Sequence, residues 1–386
     1  AMIDPIPKTC VKVVGVGSAG LHLLDKLAAV GFPAGQFIAI DSDRQELQRC
    51  QIAERIQLGE ATRRGWGCSG DAGEGANCVR AAGGRVADKL KETDLVIIVA
   101  GMGSGMGSGG APVVAEIASR AGALVMAMVL EPFDLEGRRE SSQLGIQRLN
   151  QVSDTVVRMP NQRIMDQMTS GSSVQECIEV ANGHVLEALM GLGRLMLSDG
   201  LINIDFAHVR KLLKGCHGES RLISVELSGD IRPRAVMDAL LNHPFLDSVH
   251  ELSTAEGLIV SLVGDNSLSM DEVNEFVEYL KETAPLARLI LGVHSEQVIR
   301  NGLGVMLLFP CDSSQEPDFE ENSPLIEVNR LSEVVVDVQE KRIERIQQQL
   351  PLVPVSKGRF DKGSPNLHDG EDLDVPTFLR RNMTLN

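Results

Sequence analysis

The chain has 386 residues, 43% hydrophobic and 23% charged, enough for two soluble domains and a tail. Lysine and arginine total 37 against 53 acidic residues, and the net charge of −16 excludes broad attraction to nucleic acid or anionic lipid. Seven scattered cysteines without metal-ligand spacing exclude a zinc site; with no signal-like start and no apolar run near the ~18 residues of a membrane span, they predict a cytoplasmic protein with reduced thiols and no membrane insertion.

Apolar, β-branched runs at residues 11–16 and 37–40 flank a helical stretch from about Gly20, the layout of a βαβ unit. Further buried strands are predicted at 95–100, 124–130 and 155–159, so residues 1–172 read as a doubly wound α/β domain. From 173 to 198 apolar residues recur at three- and four-residue steps, including Val174, Ile178, Ala181, Val185 and Leu189, which predicts one long central helix. Strands at 222–227, 258–263, 288–293 and 305–309, with helices at 233–241 and 270–280, predict a smaller α/β domain over 199–311. Residues 312–370 have the composition of a linker, with a charged helix predicted at 331–350. In the closing stretch 371–386, Leu373, Val375, Phe378 and Leu379 stand beside Arg380 and Arg381, a short apolar peptide on a polar tether that reads as a partner-binding segment or a tail lying on its own domain.

Two glycine-rich turns carry the chemistry. Gly15-Val16-Gly17-Ser18-Ala19-Gly20 follows a strand and opens a helix, so its amides can converge on phosphate at the positive end of the helix dipole. With Asp41 closing the next strand, it also fits a nicotinamide dinucleotide fingerprint, or a tight turn with no ligand. Gly101-Met102-Gly103-Ser104-Gly105-Met106-Gly107-Ser108-Gly109-Gly110 sits at a second strand-to-helix turn, where alternating glycines let successive amides face a di- or triphosphate. No Gly-Lys-Ser/Thr follows, so it is not a Walker loop, and a second phosphate loop argues against a dehydrogenase.

At these residues the sequence resembles FtsZ, the bacterial tubulin homologue, over nearly the whole chain. The second loop, running into Ala111-Pro112-Val113-Val114-Ala115-Glu116, is similar to the tubulin signature loop, and 11–20 to the first phosphate loop. Glu131-Pro132-Phe133-Asp134-Leu135-Glu136-Gly137 resembles the sugar-contacting loop, and Met159-Pro160-Asn161 the loop beside the nucleoside. Gly200-Leu201-Ile202-Asn203-Ile204-Asp205-Phe206-Ala207 resembles the loop that enters the next subunit's nucleotide site, and the run from Leu373 to Arg381 resembles the C-terminal peptide that division adaptors bind. The resemblance implies a tubulin/FtsZ-like α/β fold and a protein that binds GTP and GDP, with Mg2+, and assembles head to tail at the division site.

It further implies phosphate and nucleoside contacts at Gly17, Ser18, Ala19, Gly20, Leu21, His22, Gly103, Ser104, Gly105, Met106, Gly107, Glu136, Glu140, Asn161, Asn182 and Gly183, with catalysis by Asn203, Asp205 and His208. The departures fall mostly at chemistry. His208 stands where the family has a second catalytic-loop acid, and Met106 where it has a threonine. The glycine run and final asparagine of the first loop become Ser18, Ala19, Gly20, Leu21 and His22. The phosphate-side arginine falls on Glu140, beside Arg138 and Arg139; the guanine-reading aspartate corresponds to Gly183 and the stacking aromatic to Ile178. Hydrolysis and guanine selectivity are therefore expected to be weakened, in a filament subunit or in a non-hydrolysing paralogue that modulates a conventional FtsZ filament or competes for its adaptors.

Overall fold

The computed structural model describes residues 9–32, 36–59, 65–169, 171–198, 200–228, 233–265, 268–296 and 302–311, together with 367–368 and 371–372. The predicted helix at 331–350 and the peptide at 373–381 lie outside the described residues.

The N-terminal half alternates strand and helix: β1 (Val11–Val16), α1 (Gly17–Ala29), β2 (Gln36–Asp41), α2 (Arg44–Arg49), β3 (Arg55–Gln57), α3 (Ala72–Ala81), α4 (Gly83–Leu90) and β4 (Leu95–Gly101). A π-helical turn (Gly105–Gly110) runs into α5 (Ala111–Arg120), followed by β5 (Leu124–Glu131), a 3-10 turn (Asp134–Glu136), α6 (Arg139–Val152), β6 (Thr155–Pro160) and α7 (Asn161–Gln167). The long helix α8 (Val174–Leu197) leads through α9 (Phe206–Leu213) to β7 (Gly218–Ser228), α10 (Pro233–Leu241), α11 (Val249–Thr254), β8 (Gly257–Gly264), α12 (Met270–Thr283), β9 (Arg288–Ser295) and β10 (Gly302–Pro310). Separately, β11 (Leu367–His368) and β12 (Glu371–Asp372) pair antiparallel across the boundary between the expected linker, 312–370, and the closing segment, 371–386.

β1 to β6 are parallel in the order 3-2-1-4-5-6, and β7, β10, β8 and β9 continue the same sheet. The β1 run is apolar throughout because both faces are covered: Val11 and Val13 enter one core with α1 and α8, while Val14 and Val16 enter the other with α3, α5 and α6. The sequence predicts a second, smaller α/β domain over 199–311. In the structure Thr155, Val156 and Val157 of β6 pair in parallel with Gly218, Glu219 and Ser220 of β7, so the smaller half continues the sheet of the larger.

α8 is fixed at its start by a capping box, in which Ser173 Oγ accepts from the Glu176 amide at 3.1 Å and the Ser173 amide donates to Glu176 Oε2 at 2.7 Å. Two glycines let it approach both halves at once. A Cβ at Gly193 would stand 2.5 Å from the Phe32 ring, and one at Gly191 would stand 2.7 Å from Met306 Cβ in β10. Such glycines each cost a helix about 1 kcal/mol, which close packing offsets.

Charged groups tie the two halves together where β6 meets β7. Arg158 donates to Glu131 Oε1 at 2.7 Å and to Glu219 Oε1 at 2.9 Å. Arg221, 6% exposed, donates to Asp247 Oδ2 at 2.6 Å and Glu251 Oε1 at 2.8 Å, and Arg163 of α7 also pairs with Asp247. No helix among the described residues is long and apolar enough to cross a membrane. Removing the buried Arg221 leaves Asp247 and Glu251 without their shared cation, so Arg221→Met is expected to cost about 3–5 kcal/mol in urea unfolding. A loss below about 1 kcal/mol would show that the network is screened like a surface pair.

Candidate nucleotide site

The strand order reverses between β1 and β4, and both glycine-rich turns leave the sheet there. In a parallel sheet this is the crevice at the carboxyl ends of the strands where ligands enter. Gly17 begins α1 at φ 77°, and no side chain caps the helix, so its first-turn amides face the crevice without an internal partner. The helix therefore starts three residues earlier than the sequence predicts. Ser18, Ala19 and His22 are exposed, whereas Leu21 is 1% exposed and packs into the core, so only its backbone is available to a ligand.

The second turn differs from the predicted row of inward-facing amides. Gly105–Gly110 coils into a π-helical turn capped by Ser104, whose Oγ accepts from the Gly107 amide at 2.9 Å and donates to the Gly101 carbonyl at 3.0 Å. Gly103, at φ 87°, donates its amide to Ser108 Oγ at 2.8 Å. Several of these glycines serve packing: a Cβ at Gly109 would meet the Ala72 carbonyl oxygen at 1.8 Å, and one at Gly107 the Gly101 carbonyl oxygen at 1.9 Å. Met106 is 5% exposed and turns its side chain into the core below, so the missing hydroxyl leaves a packed residue. The two turns touch, since a Cβ on Gly17 would lie 3.2 Å from Met106 Cβ and 3.8 Å from Ser104 Oγ.

A third loop, absent from the sequence reading, joins them. Gly65, Gly67, Ser69 and Gly70 all have positive φ, and Asp71 caps α3 by accepting from the Glu74 amide at 3.1 Å. The loop presses on Gly105, whose Cβ would lie 2.8 Å from both the Asp71 carbonyl oxygen and Cys68 Cβ. Its signal was the spacing Gly65-Trp66-Gly67-Cys68-Ser69-Gly70 ahead of a helix.

In the loop after β5, Glu136 Oε1 accepts from the Phe133 amide at 2.9 Å, and Glu140 is exposed in the first turn of α6. Asn161 opens α7 with its Oδ1 buried and unpartnered. Asn182 and Gly183 are half-buried along α8, and a Cβ on Gly183 would meet nothing within 4 Å. Asp41 Oδ1 accepts from the amides of Ser42 at 2.6 Å and Asp43 at 3.0 Å, while its Oδ2 is buried without a partner.

Asn203, Asp205 and His208 are all exposed and lie elsewhere. Ile202 is bridged to Val293 of β9, and β9 is seven strand spacings from β1, about 34 Å along the sheet. Asn203 Oδ1 accepts from the Gly200 amide at 2.7 Å, and Asp205 Oδ1 caps α9 by accepting from the Ala207 amide at 2.9 Å. One chain therefore does not bring this loop to its own glycine turns.

The family model described as "Tubulin/FtsZ family, GTPase domain" matches residues 10–169, and "FtsZ family, C-terminal domain" matches 218–309. Cell division protein FtsZ 1 of Pyrococcus furiosus is 31% identical over 322 residues, covering 82% of this chain and 85% of that protein. The chain belongs to the FtsZ family. FtsZ of M. jannaschii, solved as an empty dimer, matches with TM-score 0.75 and 29% identity over 83% of this chain and 96% of its own. CetZ2 of Haloferax volcanii, solved as a GTPγS-bound protofilament, shares the fold at TM-score 0.60 and 20% identity, over 78% of this chain and 92% of its own. All three glycine loops fall within the part matched as the FtsZ-family GTPase domain.

Burial pushes the Asp41 carboxyl up to about 6, against the pull of its two backbone amides. Between about pH 4 and 6 the folded state then holds a proton that the unfolded chain has released, so stability falls as pH rises through this window. Asp41→Asn removes that component. The stability difference between variant and wild type is expected to shift in the variant's favour by about 2 kcal/mol from pH 4 to pH 7 in urea unfolding. Parallel pH profiles would contradict the assignment.

Proposed function

We propose that this chain binds GTP and GDP in the crevice between the three glycine loops, with Mg2+ at the phosphates, and assembles head to tail in the cytoplasm at the division site. The observation that carries this is the 3-2-1-4-5-6 strand order with two glycine turns at its reversal, in a chain matched over 10–169 by a GTPase domain. The separation of Asn203, Asp205 and His208 from those turns supports a site completed between copies, and the relatives solved as a dimer and a protofilament fit that geometry.

In such a junction Asp205 keeps one carboxylate oxygen on its helix cap and offers the other to water or to the cation. Asn203 holds the loop closed through Gly200 and presents its amide. His208, exposed in the first turn of α9, brings no carboxylate, so neither a second acidic ligand nor an anionic base stands there. Turnover is therefore slow. The same substitution favours a second reading, in which the chain modulates a conventional FtsZ filament, or competes for its adaptors through 373–381, without hydrolysing GTP itself.

His208→Asp places an acid in the first turn of a helix, where the dipole favours it, so the fold should tolerate the change. Alone, the wild type is expected to hydrolyse GTP well below ~1 s⁻¹. Mixed with a conventional FtsZ at fixed total concentration, it should lower phosphate release at each junction where its loop faces a competent pocket, and His208→Asp should relieve the inhibition. Brisk turnover by the unmixed wild type, or mixed rates indifferent to His208→Asp, would overturn the proposal.

A further inference from the structure

We propose that Arg138 is the cation that holds the nucleotide phosphates in this chain, an assignment that rests on the GTP-binding reading above. A di- or triphosphate adds several negative charges to an end of the molecule already carrying Asp71, Asp134, Glu136 and Glu140. The three glycine segments, 17–22, 65–71 and 101–110, contain no lysine or arginine. Within these segments only amides and helix dipoles face that charge, and their effect fades within a turn.

Arg138 is built against the second turn. A Cβ on Gly103 would stand 2.8 Å from Arg138 Cβ and 3.3 Å from its Cδ, so the arginine stem lies along the backbone that leads into the Ser104-capped turn. Gly103, with φ 87° and no side chain, is the residue that lets it lie there. Among the described residues the guanidinium's ionic contact is Glu136 Oε2 at 3.8 Å from Nη1, beyond hydrogen-bonding distance, and the side chain is 55% exposed. Glu136 is itself occupied, since its other oxygen accepts from the Phe133 amide. A planar guanidinium beside the glycine turn suits bidentate contact with phosphate oxygens. Loading of the site would exchange the long contact to Glu136 for that one. Arg139, one residue on, is the first residue of α6 and is exposed, which makes it the natural control.

The test is calorimetric titration of the nucleotide-stripped full chain with GTP, GDP and guanosine. Arg138→Gln is expected to weaken GTP and GDP about tenfold or more while leaving guanosine unchanged, Arg138→Lys to recover part of the loss, and Arg139→Gln to match wild type. A matching far-UV spectrum and melting point for Arg138→Gln establishes that the loss is local. Wild-type GTP affinity in Arg138→Gln would overturn the assignment while leaving the nucleotide site intact, as would an equal loss for GTP and guanosine. A wild type that binds neither GTP nor GDP would remove the nucleotide reading itself, and Arg138's role with it.

Discussion

A Cβ at Gly20 would sit 2.4 Å from the carbonyl oxygen of Val99, so α1 can lie against β4 only because that residue has no side chain. The same device recurs where α3 meets the π-helical turn, since a Cβ at Gly75 would stand 1.9 Å from the Gly105 carbonyl oxygen. Backbone thus packs on backbone at each edge of the crevice. These contacts bring three loops from different parts of the sheet together, beside a helix start that no side chain caps. Glycine pays in unfolded-state entropy for this closeness, and that cost is accepted at positions where any larger residue would push a helix off the sheet.

Much of the frame was legible in the sequence because both faces of the sheet are covered. Continuous apolar runs then mark the strands, and β1, β4, β5, β6 and β8 end within one residue of where hydrophobicity alone puts them. α8 was equally plain, having 24 residues of helical periodicity between two serines. The short elements were not legible. β3 has three residues and α2 and α11 have six each, too few for either period to register. Nor was the union of the two halves into one sheet, because three residue pairs between β6 and β7 decide it and local pattern carries no information about partners 63 residues away.

Sequence spacing marked two of the three glycine loops, but not the packing that several of their glycines serve. Gly107 and Gly109 answer to neighbouring carbonyls, and such packing is visible only once α3 is in place. Leu21 and Met106, which occupy loop positions, turn their side chains into opposite cores, so these departures from the family alter the site less than their place in the sequence implies. Gly183 is a different case. It borders open space on α8, so a carboxylate at the position that the resemblance gives to base recognition, worth about 1.5–3 kcal/mol as a charged hydrogen bond, would meet no neighbour at its Cβ.

The central claim is that this backbone-lined crevice holds a guanine nucleotide and not a nicotinamide dinucleotide, the other ligand that a Gly-rich β1–α1 turn with Asp41 fits. The direct measurement is to equilibrate the purified chain with equimolar GTP and NADH, remove free ligand, denature the protein and identify what was retained by anion-exchange chromatography. The account predicts GTP or GDP, approaching one per chain. Retention of NADH, or of neither ligand at concentrations that load a conventional FtsZ, would contradict it.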